Sequence, residues 1–272
     1  AFRLDLTGQG PGQMAARIAG QFSADFARAD LTAKGRIQAA ALNNLIAPRS
    51  ADGTLGFDLT LDGPLAISAL TGRITGANLR IASPSERLSA AFPNLTATLR
   101  DGQAQLTGQG EIRGGGKISL SGPVTLAAPY TADLTIGLQR AAVSALNMFA
   151  TEISGNVTLN GPLFGGAMIA GDVTLDRTEI IVAAPGFDDQ PIPEITHLNE
   201  GQPSALTRHR ARLDRPSGAA TGGVIYGLDL NLSAPGRIFV RGRGLDAEMA
   251  GQLHLGGTTA DMVPTGRFTM IR

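Results

Sequence analysis

Apolar and polar residues alternate along most of this chain. Phe57-Asp-Leu-Thr-Leu61, Leu134-Thr-Ile-Gly-Leu138, Val173-Thr-Leu175 and Leu228-Asp-Leu-Asn-Leu232 each put an apolar side chain at every second position. A period of two makes a strand with one apolar and one wet face. Most of the 36 glycines and 15 prolines fall between these runs, where turns need them. Short strands at regular spacing imply an all-β architecture of antiparallel or meandering strands.

The apolar surface has an unusual make-up. Hydrophobic residues are 43% of the chain but aromatics only 4%, with no Trp, so Leu, Ile, Val and Ala must supply it. Lys plus Arg number 23, as do Asp plus Glu. Without a basic excess to neutralise phosphates, nucleic-acid binding is disfavoured. The absence of Cys rules out disulfides and any Cys-based zinc or redox site. No apolar run reaches the roughly 18 residues of a membrane-spanning helix. The chain opens in a strand pattern (Phe2, Leu4 and Leu6) and closes in another over 268–272, as expected of a piece of a longer protein.

Two segments read as short helices, 37–46 and 140–150, each with Leu-Asn near its middle (Leu42-Asn43 and Leu146-Asn147). They lead into a repeat: Leu61-Asp-Gly-Pro-Leu65 recurs as Leu159-Asn-Gly-Pro-Leu163 and more loosely as Leu120-Ser-Gly-Pro-Val124. Pro lacks the ladder donor, so a strand should stop there, each copy adding strands to one growing sheet. Residues 1–183 therefore form a repetitive β-segment. From 184 to 223, Pro185, Pro191, Pro193, Pro203 and Pro216 interrupt any regular element, giving a polar Pro/Gly-rich loop or insertion.

Motifs that suggest chemistry do not survive their context. Gly242-Arg-Gly244-Leu-Asp-Ala247 matches a dinucleotide fingerprint, but a strand pattern follows it (Ala247, Met249, Leu253, Leu255) where a helix is required. A hairpin turning at Gly244-Leu245 fits better, with Arg243 facing Asp246, Arg241 facing Glu248 and Val240 meeting Met249. Gly114-Gly-Gly-Lys117 lacks the upstream Gly and the Ser/Thr of a phosphate loop. His197, His209, Asp188, Asp189 and Glu194 share the 184–223 loop without metal-ligand spacing. His254 falls on a polar strand face, and Asn94, Asn156 and Asn231 head Asn-x-Ser/Thr triplets that read as turn and strand residues. No catalytic constellation is present in the sequence, so neither an enzyme nor a cofactor is expected.

The last 45 residues carry a specific resemblance. Pro235, Ile238-Phe-Val-Arg-Gly242 and Gly244-Leu-Asp-Ala-Glu248, then Gly256-Gly-Thr258 and Pro264-x-Gly266, resemble the C-terminal domain of the TamB family, relatives of the AsmA-like proteins. On that resemblance 224–272 is the start of the domain, cut short. The resemblance implies a long periplasmic β-sheet curled into a half-pipe, or β-taco, with an apolar interior. It also implies an inner-membrane anchor outside this stretch in a Gram-negative bacterium. Phospholipid acyl chains are the implied cargo, carried between inner and outer membranes, and the implied partner is an outer-membrane barrel of the TamA kind.

The alternating positions agree with that expectation, because an apolar sheet face without covering helices must curl, dimerise or hold a ligand. Candidate groove residues are Phe57, Leu59 and Leu61; Leu134, Ile136 and Leu138; Val157 and Leu159; and Val173 and Leu175. Nearer the C-terminus they are Leu228, Leu230, Leu232, Ile238 and Val240, then Met249, Leu253 and Leu255. Two other readings stay open. One is a scaffold for outer-membrane protein or autotransporter assembly; the other is a β-solenoid or adhesin passenger.

Overall fold

The computed structural model describes residues 2–10, 14–46, 49–83, 88–145, 149–182, 203–204, 206–207 and 224–272. Its strands are β1 (Phe2–Gly10), β2 (Met14–Phe22), β3 (Arg28–Gln38), β4 (Ser50–Pro64), β5 (Leu70–Ser83), β6 (Leu88–Arg100) and β7 (Gln103–Ile112). They continue as β8 (Lys117–Thr125), β9 (Thr131–Ala145), β10 (Phe149–Pro162), β11 (Met168–Ile181), β12 (Gly227–Gly242), β13 (Leu245–Gly257) and β14 (Met262–Met270). All fourteen form one open, curled sheet in sequence order. Neighbours are antiparallel except β11 and β12, which run parallel. A parallel pair needs a crossover, and the stretch 184–223 falls there, almost wholly outside the described residues, with the five His, Asp and Glu candidates named above.

The register sorts the two faces. On the outer face Thr75, Thr96, Thr107, Ser121, Thr135 and Thr158 stand side by side across β5 to β10. On the inner face Leu6, Ile18, Ala33, Leu59, Gly72, Leu99, Ala104 and Val124 run across β1 to β8. Among the described residues no second layer covers that inner face. The chain exposes 18306 Å², against about 11,000 Å² for a compact protein of its mass. Among the described residues no large side chain is fully buried.

The sheet bends along a line of β-bulges. Extra residues enter the ladders at Asn78 in β5, Phe92-Pro93 in β6, Arg140 in β9, Asp176 in β11 and 235–237 in β12. Asn78, Arg140 and Arg237 take positive φ there (50°, 46° and 64°). A bulge bends its strand and sharpens the twist, so a row of them folds the sheet along its stacking direction. The buried cluster Ala39, Leu79 and Phe92 sits on this crease, with Leu55, Leu95 and Ile118 packed against it. Between β9 and β11 the crease is tied by polar groups. The Arg140 N–H donates to Ser154 Oγ at 3.0 Å, and Ser154 Oγ donates to the Asp176 carboxylate.

Three expectations need correction. The described residues of 140–150 are strand, not helix: Arg140 to Ala145 complete β9 and Phe149 opens β10, with Ala141 opposite Ile153 and Val143 opposite Thr151. The bulge at Arg140 shifts the alternation by one, and cross-strand pairing overrides the helix propensity of the alanines. The first helix is shorter than 37–46, because Ile37 and Gln38 belong to β3. A 3-10 turn (Ala39–Leu42) and one α-turn (Asn43–Ile46) follow, held where Asn43 Oδ1 accepts the Ala51 N–H at 2.7 Å. The β12–β13 hairpin turns one residue earlier than expected, at Arg243-Gly244. Both residues have positive φ (52° and 81°), the type I′ geometry that matches strand twist. Arg241 therefore faces Asp246, Phe239 faces Glu248, and Met249 meets Ile238 rather than Val240. Of the Gly-Pro repeats, Pro64 and Pro162 end their strands, whereas Pro123 lies within β8.

Replacing Ser154 by Ala removes both links of the crease tie. The expected loss is about 1–3 kcal/mol of stability, read as a lowered urea midpoint.

Candidate apolar trough

The candidate groove residues share one face, since directly paired residues on neighbouring strands point the same way. Leu134 pairs with Leu159, which pairs with Ile169 and then Leu228. The next row is Ile136, Val157, Gly171, Leu230 and Leu255, and beside it lie Leu138, Gly155, Val173, Leu232 and Leu253. Leu175 faces Ile153, Ile238 faces Met249 and Val240 faces Ala247. Phe57, Leu59 and Leu61 stand opposite Ile74, Gly72 and Leu70 in the other half of the sheet. All eighteen thus fall on the inner face, most of them half-buried.

Where β9 to β12 meet the crease, this face deepens into an open cavity of about 590 Å³. That lies within the roughly 300–1,000 Å³ typical of small-molecule sites. Sequence reading anticipated Leu138, Val157, Val173, Leu175, Leu230 and Leu232 in its wall. It missed Val143, Phe149, Thr151, Ile153, Thr178, Ile180 and Ile181. Val143, Thr178 and Ile180 lie beyond a bulge and so fall out of phase with the alternation, whereas Phe149, Thr151 and Ile153 keep the phase of Val157 on β10. A larger depression, about 660 Å³, mixes polar Gln109, Glu111, Lys117 and Gln139 with apolar Ile118 and Leu138 in its lining.

Glycines bring the strands together inside the trough. Gly171 has φ +151°, and a Cβ there would lie 2.2 Å from the Asn156 carbonyl oxygen. Gly155 has φ +148°, with the Asp172 oxygen at 2.2 Å from its would-be Cβ. Side chains at either position would push apart the β10 and β11 backbones that form the cavity floor.

Behind the cavity, the outer face carries charge. Phe239 lies under two guanidiniums, Arg177 at 5.9 Å and Arg241 at 5.1 Å from its ring centroid. Arg177 binds Glu179 at 2.6 Å, and Arg241 reaches Asp246 at 3.2 Å. The hydrogen bond and charge of Arg177, with help from Arg241, hold the Glu179 carboxyl below the usual carboxylate range. Its contribution to stability is complete above that range and fades as pH falls through the folded-state value. Asn231 donates to Asp172 at 3.0 Å and lies 3.1 Å from His254 Nδ1, so His254 and two of the Asn-x-Ser/Thr asparagines sit on this polar side.

A family model for the TamB C-terminal domain matches residues 103–272. The chain belongs to the TamB family. The match starts at the first residue of β7, well upstream of the boundary read at 224, and takes in the β9–β12 cavity and both sides of the parallel junction. No curated protein and no solved structure matches the chain. The TamB family is envelope-associated. Among the described residues of this TamB-family sheet, no helix is long and apolar enough to cross a membrane.

A carboxylate inside the trough should expel apolar ligands. Leu232→Asp is expected to weaken Nile red binding by about tenfold to a hundredfold, the loss of one buried aliphatic side chain. Gln252→Asp, on the outer face of β13, should leave the dye titration unchanged.

Proposed function

We propose that this chain is the cargo-bearing part of a periplasmic protein, anchored to the inner membrane of a Gram-negative bacterium, that conducts phospholipid acyl chains toward the outer membrane. The observation that carries this reading is the uncovered apolar face, continuous from strand to strand and open at the cavity of β9 to β12. Each methylene moved from water onto such a face gains about 0.8 kcal/mol wherever along the trough it lies. A binding energy that varies little with position holds a lipid and still lets it slide. Fourteen strands span on the order of 60 Å along the stacking direction, longer than one acyl chain, so cargo can advance in steps. On this reading the protein needs no catalytic group and no cofactor.

A second reading rests on the outer strands. β1 and β14 each pair on one side only in the sheet, and such edges are templates for strand addition. An outer-membrane barrel partner would pair there in a scaffold for outer-membrane protein assembly or secretion.

Lipid mass spectrometry of the gently purified chain separates the two. Under the conduit reading, phospholipid co-purifies with the wild type and is lost with Leu230→Asp. A lipid-free wild type, together with a barrel interaction abolished by Thr265→Pro in β14, would favour the scaffold.

A further inference from the structure

The lining of the cavity is apolar with one exception. Among thirteen lining residues only Thr151 and Thr178 are polar, and they are cross-strand partners on β10 and β11. Their row across the sheet is otherwise Val143, Ile238 and Met249. Thr178 is 6% exposed and stands where the β11–β12 ladder resumes beyond its break.

The two hydroxyls are 2.7 Å apart and, among the described residues, make no other side-chain hydrogen bond. Each hydroxyl owns one hydrogen, and one hydrogen bond spends one of the two. The pair therefore keeps a donor free at the floor of a cavity whose other lining residues are apolar and offer it no partner. The first hydrogen bond also polarises the second hydroxyl, making the remaining donor stronger.

We propose that the Thr151–Thr178 pair is a polar subsite that receives the carbonyl or carboxyl oxygen of an acyl chain. Its free O–H donates to that oxygen while the hydrocarbon lies along Leu175, Ile153 and Leu232. The pair thus fixes which end of the chain rests at the crease, and it favours oxygen-bearing chains over plain hydrocarbon. This rests on the proposed acyl-binding role of the trough and adds a chemical preference to it. A purely structural cross-strand threonine pair would have no such preference.

The test is displacement of Nile red from the full chain by decanoic acid, methyl decanoate and decane, compared between wild type and Thr178→Val. Valine keeps the shape and the strand propensity, and Thr151→Val repeats the experiment from the other strand. The variants are expected to weaken acid and ester by about threefold to tenfold while leaving decane unchanged. Loss confined to the acid would assign the subsite to a free carboxylate, and loss for both acid and ester to a carbonyl oxygen. The proposal is overturned if all three ligands change alike, or if none changes. A wild type that binds none of them overturns the trough reading as well. Thr158→Val, on the outer face, should alter no ligand.

Discussion

A β-sheet with one apolar face has few ways to keep that face from water: a second layer, a partner, or curvature. Here the described residues supply no second layer, so curvature does the work, and the bulges at Asn78, Phe92-Pro93, Arg140, Asp176 and 235–237 supply it. They lie in one row from β5 to β12, so their bends add along a line instead of cancelling. Everything on the inner face depends on that line. The small buried cluster around Leu79 and Phe92 forms on it, and so does the cavity between β9 and β12.

The same geometry explains why the interior is open. Curling brings inner-face side chains nearer one another but does not interdigitate them with a facing layer. The side chains of the trough therefore stay half-buried, while the backbone of every strand between the two edges is paired on both sides apart from the bulges. Stability comes chiefly from ladder hydrogen bonds and nearest-strand contacts, as in repeat proteins where each unit touches only its neighbours. Low aromatic content suits this arrangement, because broad flat rings would fill the space between strands that glycines such as Gly155 and Gly171 keep narrow.

Legibility in the sequence followed the bulges. Where strands run without interruption, as in β4 or the first half of β12, period two identified the strand, its inner face and the groove residues. Past the bulges at Asn78, Phe92-Pro93, Arg140 and Asp176 the phase slips by one. Ala141 and Val143, beyond Arg140, then resemble a helix, and Thr178 and Ile180, beyond Asp176, drop out of the candidate list. These bulges were invisible because Arg140, Arg237 and Asp176 are not the glycines by which a sequence usually marks such a site. Arg243 hid the β12–β13 turn in the same way, taking a positive φ that its residue type does not advertise. The parallel pairing of β11 with β12 was beyond reach for another reason. It joins residues more than fifty positions apart, and alternation says nothing about the direction of a neighbour.

That parallel junction gives the outer-face charges their meaning. Exposed ion pairs such as Arg177–Glu179 and Arg241–Asp246 add little stability one by one. Register is another matter. If β12 slid by one residue along β11, Leu230 and Leu232 would turn outward and Asn231 and Arg241 would turn into the trough. Hydrophobic pattern alone guards against that slip in the first half of β12, but the guard is weak beyond the break at 235–237, where the ladder must restart. There Phe239 sits between the guanidiniums of Arg177, from β11, and Arg241, from its own strand, while Glu179 opposite it draws both cations. The observed register brings these groups together, with Phe239 directly opposite Glu179. The residues that carry the family resemblance, Ile238 to Gly242, are thus a register lock on the outer face whose consequence is felt on the inner one, where it keeps Ile238 and Val240 in line with the apolar wall.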